Sequence, residues 1–214
     1  YGYWLFFDAT GPFKIPSIIE GLYIPQDQMK ELVEDVKNRL KNKGLKVNKI
    51  FIYKPSPIHR DELKALEESN LNYILIHYSY HGFPRRSFLY KGDNVITVRR
   101  GTCLIDKSMN RAILWVTGDL SETMQHKHGT PRAVELKIHT NMDVGKDDVT
   151  FIKDICKQAI ALTKLDWEAA QWERKEPVVI KYSRRAAGIG YHLAPNNTFK
   201  RNEIIQRLDV RDLM

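Results

Sequence analysis

The chain has 214 residues, of which 43% are hydrophobic, and it carries a formal net charge of +8 at pH 7. This length and composition suffice for one substantial core, so we expect a single domain over residues 1–214. The positive charge favours acidic partners, with nucleic acid ahead of a membrane, because no basic amphipathic helix stands out and no apolar run reaches the roughly 18 to 20 residues of a membrane span.

The chain opens on the apolar run "YGYWLFF", which reads as a strand cut at its start. This run lacks the basic, apolar and small-residue sections of a signal peptide. We therefore expect a cytoplasmic protein, of which this chain is the C-terminal part. The two cysteines, Cys103 and Cys156, are far apart and fit neither a metal-ligand spacing nor an obvious disulfide framework, which agrees with a reducing compartment.

Hydrophobic periodicity predicts alternating helices and strands in the first third of the chain. Apolar residues at helical spacing in "QMKELVEDVKNRLKNKG" predict an amphipathic helix that ends at Gly44. The nearly continuous apolar run "NKIFIYK" is typical of a buried strand, "LKALEESN" favours a helix, and "LNYILIHYSY" favours another strand.

The remainder predicts further strands and then helices. The segments "NVITVRRGTCLI", "RAILWVTG" and "RAVELKIHT" read as strands separated by turns. A long helix begins after an N-cap at Asp147 or Asp148, and a basic helix, "KYSRRAAGIGYHL", follows Pro177. The order predicts an α/β fold in which helices flank a mixed sheet.

Asp61 lies in an Arg-Asp pair shortly after a buried strand, a place where many metal-dependent nucleases keep an essential aspartate. It also directly precedes Leu63 and Leu66, where a carboxylate can accept the free N–H groups of a first helical turn. We interpret Asp61 as a helix N-cap.

Other metal-ligating side chains lack a converging set. The pair His126 and His128 has no matching ligands nearby, so an exposed loop is the favoured reading. Four acids are candidates for a two-metal site, but their spacing does not require that role. They are Asp8, Glu20, Asp106 and Asp119.

Basic clusters are more informative. Arg85 and Arg86 follow a predicted strand, and Arg99 and Arg100 precede a turn; arginines at strand ends can reach phosphates with paired donors. In the last predicted helix, three basic residues lie within about one turn, so at least two of them face the same way. They are Lys181, Arg184 and Arg185. A plain solvated surface remains the alternative for every cluster.

The order of four segments resembles the PIWI domain of Argonaute proteins, particularly archaeal ones. The strand "IFIY" precedes a polar loop where that family writes Arg-Asp-Gly, and "HGTPRAVELKI" is similar to its Gly-Thr-x-x-Pro-type turn and strand. The segment "ALTKLDW" follows, and "PVVIKYSRRAAGIGYHL" resembles the closing Pro-x-x-x-x-Tyr-Ala-His helix. Together these segments cover roughly residues 45–193.

The resemblance implies an RNase H-like mixed sheet whose N-terminal strand is missing from this chain. Active family members hold two divalent ions with an Asp-Glu-Asp triad and a final His or Asp. Here Pro55 falls on the metal-binding aspartate and Arg184 on the final ligand, and neither side chain ligates a metal. The resemblance therefore implies an inactive site, and an alternative alignment uses Asp61 and Glu20 as ligands of an active one.

With an inactive site, the function that the resemblance implies is binding of a guide strand, RNA or DNA, paired to its target. The expected phosphate contacts are Arg85, Arg86, Lys181, Arg184 and Arg185. The resemblance also implies a neighbouring MID domain and an associated effector protein. No catalytic cofactor is expected, and Mg²⁺ or Mn²⁺ is a candidate ion at a guide 5′-phosphate. The competing hypotheses are an active metal-dependent endonuclease and a protein-interaction domain.

Overall fold

The computed structural model describes residues 26–42, 44, 48–80, 88–118, 131–144, 148–165 and 176–193. No helix in these ranges is long and apolar enough to cross a membrane. The predicted opening strand and several candidate residues lie outside the described ranges. These residues are Asp8, Glu20, Arg85, Arg86, Asp119, His126 and His128.

Within the described ranges, helices and strands alternate much as predicted. The helices are α1 (Gln26–Asn42), α2 (Arg60–Glu67), α3 (Val149–Lys164) and α4 (Val178–Leu193). The strands are β1 (Lys49–Lys54), β2 (Asn72–Ser79), β3 (Phe88–Lys91), β4 (Asn94–Thr97), β5 (Cys103–Asp106), β6 (Arg111–Trp115) and β7 (Ala133–Thr140).

Five of these strands form a mixed sheet in the order β1-β2-β7-β6-β5, and β3 pairs with β4 separately. The α/β class with a mixed sheet and helices is therefore confirmed. The chain divides into two compact units, Tyr1–Ile74 with Val179–Met214, and Leu75–Val178. That the whole chain is a single domain stays a prediction.

In the first unit, α1 packs against α2 through an apolar stripe that includes the buried residues Met29 and Val33. The edge of this contact is polar, because Lys30 Nζ lies 2.5 Å from a carboxylate oxygen of Glu68. The end of α1 is as predicted: Gly44 has φ +72°, and its N–H donates to the carbonyl of Lys41 over 2.9 Å.

Strand β2 is buried from Tyr73 to Ser79, with only its first residue exposed. Burial on both faces explains why its sequence does not alternate between apolar and polar residues, as a strand with one solvated face would. The burial expected for "NKIFIYK" is wrong, because Lys49 and Phe51 of β1 are exposed and only Lys54 is buried. Its place between β1 and β7 makes it an inner strand of the sheet.

In the second unit, β5, β6 and β7 form an antiparallel meander. Helix α3 packs on β5 and β6. The helix is capped as predicted, because the Asp148 carboxylate accepts the backbone N–H groups of Thr150 and Phe151 over 2.9 and 3.1 Å. This cap fixes where the buried face of α3 begins.

The strand predicted for "NVITVRRGTCLI" is wrong in extent, because the segment forms β4 and β5, which belong to different sheets. The chain turns between them at Gly101, whose φ is +85°. This turn lies against Gly118, where an added Cβ would stand 2.5 Å from the carbonyl oxygen of Val98. The close approach of two chain segments, which periodicity does not report, therefore divides the strand.

Candidate functional site

The end of β1 is occupied by a buried ion pair rather than by an open ligand position. Lys54, the last residue of β1, is 8% exposed, and Glu62 in α2 is 1% exposed. The Lys54 ammonium donates to Glu62 Oε1 and, over 2.9 Å, to the carbonyl of Pro57. Loss of hydration lowers the pKa of Lys54 below 10.5, and the hydrogen bond to Glu62 opposes that shift.

Pro55 follows directly after β1 and is exposed. Its side chain has no atom that ligates a metal, and the carboxylate that meets the last residue of this strand is that of Glu62. Both oxygens of that carboxylate already accept hydrogen bonds, Oε1 from Lys54 and Oε2 from the backbone N–H of His59 over 2.8 Å. Glu62 is thus a structural carboxylate, and nothing in the periodicity of the sequence indicates this role.

Asp61 is not the helix N-cap; that residue is His59. The His59 backbone is extended, with φ −95° and ψ 152°, and its Nδ1 accepts the N–H of Asp61 over 3.3 Å. Glu62 completes a reciprocal arrangement by accepting the His59 N–H. Asp61 lies inside the first turn, where a negative charge is favourable near the helix N-terminus.

The described residues contain no group of three or more His, Cys, Asp and Glu side chains that could hold a metal ion. Asp106, one of the four candidate acids, is engaged by Ser108 Oγ over 2.7 Å and by Arg111 Nη2 over 3.1 Å. The hydrogen bond from Ser108, followed by the contact with Arg111, lowers the pKa of Asp106. Its carboxylate is therefore part of a salt-bridge cluster on the β5–β6 hairpin.

The predicted basic helix exists as α4 and carries three of the candidate phosphate contacts. Lys181, Arg184 and Arg185 occupy positions i, i+3 and i+4, which share one side of a helix. Arg184 is exposed, and the other two are half-buried. Lys181 Nζ lies 5.7 Å from the centroid of the Tyr182 ring.

The neighbours of these three residues hold α4 in place. Tyr182 is 2% exposed and Ser183 is 7% exposed, so the opposite side of the helix is buried. Ser183 Oγ donates back to the carbonyl of Val179 over 2.7 Å, a bond that satisfies its hydroxyl without a tertiary partner. The basic side chains are thus mounted on a packed helix rather than on a loop.

Arg100, which the sequence places at a strand end, makes a hydrogen bond to another part of the protein, so this donor is not available to a phosphate. Its Nη2 donates to Thr163 Oγ1 over 2.5 Å, and the guanidinium is partly buried. Thr163 lies near the end of α3 and is 2% exposed. The Thr163 hydroxyl also donates to the carbonyl of Ile160 in its own helix over 2.7 Å, so no sequence signal pointed to a tertiary partner there.

No protein-family model matches the sequence, and no curated protein is significantly similar to it. Solved structures are similar in fold. The Argonaute of Marinitoga piezophila in complex with 5′ OH guide RNA matches with a TM-score of 0.52 at 15% identity, over 78% of this chain and 23% of that protein. The same Argonaute with guide RNA and target DNA gives 0.50 at 16% identity, over 77% and 22%.

The A. aeolicus Argonaute matches with a TM-score of 0.53 at 17% identity, over 78% of this chain and 22% of that protein. At such identities the likeness establishes the fold. This chain spans less than a quarter of the length of the proteins it matches.

Proposed function

We propose that this chain, which has the PIWI-like fold of prokaryotic Argonautes, binds nucleic acid by holding the phosphates of a guide strand paired to its target. The observation that carries the proposal is the basic side of α4, where Lys181, Arg184 and Arg185 share one face of a packed helix. Arg85 and Arg86, outside the described residues, are proposed as further phosphate contacts.

The chemistry of such a site is recognition of backbone charge. Arginine presents planar paired donors that match phosphate oxygens, whereas the base sequence is read by pairing between guide and target. The net charge of +8 supports an anionic partner. The Marinitoga piezophila structures hold a guide RNA, and in one case a target DNA, which supports the same class of ligand here.

We further propose that the domain binds without cleaving. Pro55 stands at the end of β1 with no ligating atom, and Arg184 carries a permanent positive charge that repels a metal ion. A domain that does not cleave its target acts through other proteins, and we propose that it signals to an associated effector protein. We also propose that a MID domain supports the binding of the guide. A Mg²⁺ or Mn²⁺ ion would then serve only at a guide 5′-phosphate.

The proposal is tested by the salt dependence of binding. The full-length protein is titrated with a labelled guide–target duplex at several salt concentrations, with guides that end in a 5′-hydroxyl or a 5′-phosphate. We expect Arg184→Ala to weaken binding and to reduce the slope of log affinity against log salt by about 0.7 to 0.9, because one phosphate contact is lost. A 5′-phosphate preference that requires Mg²⁺ or Mn²⁺ would support the ion proposed at that end.

Lys157→Ala is the matched control, since Lys157 is a highly exposed cation on α3 that pairs with Asp154 at 2.9 Å. It removes the same charge from another helix and is expected to leave the slope unchanged. If Arg184→Ala and Lys157→Ala gave the same affinity and slope as the unmodified protein, the phosphate role of α4 would be refuted. Binding without any salt dependence would favour the protein-interaction hypothesis.

A further inference from the structure

The two cysteines of the chain, which are far apart in sequence, lie together in the second unit. Cys103 is the first residue of β5 and is partly exposed, and Cys156 lies on the buried side of α3. Both are free thiols. Helix α3 packs against β5, and Cys103 lies close enough to Cys156 to contribute to the raised pKa of that thiol.

The packing of α3 holds this pair together. The helix contacts β5 directly, with Cys156 among its buried residues. A second contact fixes the same two segments, because Arg100, three residues before Cys103, donates to Thr163 on α3. Thr163 is about two helical turns beyond Cys156 on the same buried side. These two contacts hold β5 and the turn that precedes it against α3.

We propose that Cys103 and Cys156 are an oxidisable pair that forms a disulfide when the protein meets a hydroperoxide. Cys103 is the attacking thiol because it is the more exposed of the two. Its sulfur takes the terminal oxygen of hydrogen peroxide, so that the O–O bond breaks, Cys103 becomes a sulfenic acid and water leaves. The Cys156 sulfur then attacks the Cys103 sulfur, the S–O bond breaks, and the departing hydroxide leaves as water with the Cys156 proton.

The two positions are unequal in the way that this sequence of steps requires. Burial raises the pKa of the Cys156 thiol to about 12, so at neutral pH it stays protonated and does not attack peroxide itself. In the second step it attacks the sulfenic acid while its proton passes to the departing hydroxide, which requires the two sulfurs to lie side by side. The reduced and oxidised forms are interconverted by an external thiol, which attacks the disulfide in the reverse direction.

The experiment treats the purified chain with hydrogen peroxide, blocks remaining thiols, and maps the products by mass spectrometry of peptides. We expect Cys103 and Cys156 to be lost together, as one internally linked peptide pair that dithiothreitol restores in full. In Cys156→Ala, we expect Cys103 to accumulate as sulfinic and sulfonic acid instead. In Cys103→Ala, we expect the Cys156 thiol to persist under the same treatment.

Other results would overturn the proposal. These are over-oxidation of Cys103 with Cys156 still reduced in the unmodified chain, disulfide-linked dimers in place of the internal bond, or no reaction at either thiol. Because two cysteines account for all thiols of this sequence, each product is assigned without ambiguity. Cys156→Ala replaces a buried thiol by a small apolar group, and circular dichroism establishes that this variant is folded before it is compared.

Discussion

Lys54 and Glu62 are charged residues in the interior of the protein, and each is stabilised by the other. Their side chains are 9% and 2% exposed. Glu62 also accepts the N–H of His59, so one carboxylate serves both the strand end and the start of α2. A buried charge that loses its partner is left without hydration or compensation, which makes this pair costly to break.

We expect Glu62→Gln to lower the free energy of unfolding by about 3 to 5 kcal/mol, because the buried Lys54 ammonium loses the charged carboxylate to which it donates. Urea unfolding followed by circular dichroism measures this loss. Glu67→Gln is the matched control, since it makes the same change of charge at an exposed position of the same helix. A surface substitution of this kind should stay within about 0.5 kcal/mol. Equal losses of unfolding free energy in the two variants would show that the Lys54–Glu62 pair does not stabilise the fold.

From the sequence, the candidate binding site can be predicted only as a set of positively charged side chains. The spacing of Lys181, Arg184 and Arg185 predicted that at least two of them share a helical side, and their positions in α4 put all three on one side. The same reasoning could not separate Arg100 from them, because a sequence does not show that its guanidinium meets Thr163 in the interior. Charge and spacing identify candidates, and tertiary partners remove some of them.

At the scale of elements, α2 illustrates how a cap is chosen. Asp is preferred over His at helix N-caps, which is why the sequence predicts Asp61 as the cap. The backbone decides otherwise, because the extended residue is His59 and the first helical residue is Arg60. The existence of the helix was therefore predictable from periodicity, whereas its start depended on where the extended backbone after β1 ends, at His59.

We expect His59→Ala to lower the free energy of unfolding by about 1 kcal/mol, since it removes the side-chain acceptor for the Asp61 N–H. Asp61→Ala removes the favourable charge near the helix N-terminus and the contact of Asp61 Oδ2 with His59 Nδ1 at 3.5 Å, and salt screens both effects. Urea unfolding of both variants at about 0.5 M salt should therefore separate them, with the larger loss for His59→Ala. The opposite order would restore Asp61 as the cap.

For the molecule as a whole, the question is whether the PIWI-like fold is accompanied by catalysis. Two-metal cleavage of a nucleic acid requires converging ligands that hold both ions. At the two positions that the family resemblance aligns with metal ligands, this chain carries Pro55 and Arg184. The alternative ligands Asp61 and Glu20 include one residue that now belongs to the first turn of α2.

We expect the full-length protein, loaded with a guide, to leave a complementary labelled target intact in Mg²⁺ or Mn²⁺, because the aligned ligand positions cannot hold two ions. A denaturing gel of the target after prolonged incubation measures this. A mixture containing the unloaded protein controls for contaminating nucleases. Guide-dependent cleavage that is lost in Asp61→Asn, with unchanged guide binding, would establish the active-nuclease alternative.

The sequence by itself determined most elements of this protein, because helical and strand periodicities are local properties of the chain. It predicted α1 with its end at Gly44, the strand β2 and a cap of α3 at Asp147 or Asp148, of which the structure has Asp148. It also determined the excess of positive charge. The tertiary structure decided what depends on distant segments meeting: the pairing of Lys54 with Glu62, the division of a predicted strand beside Gly118, and the approach of Cys103 to Cys156. These contacts join residues whose separation along the chain carries no periodic signal, so only folding brings them together.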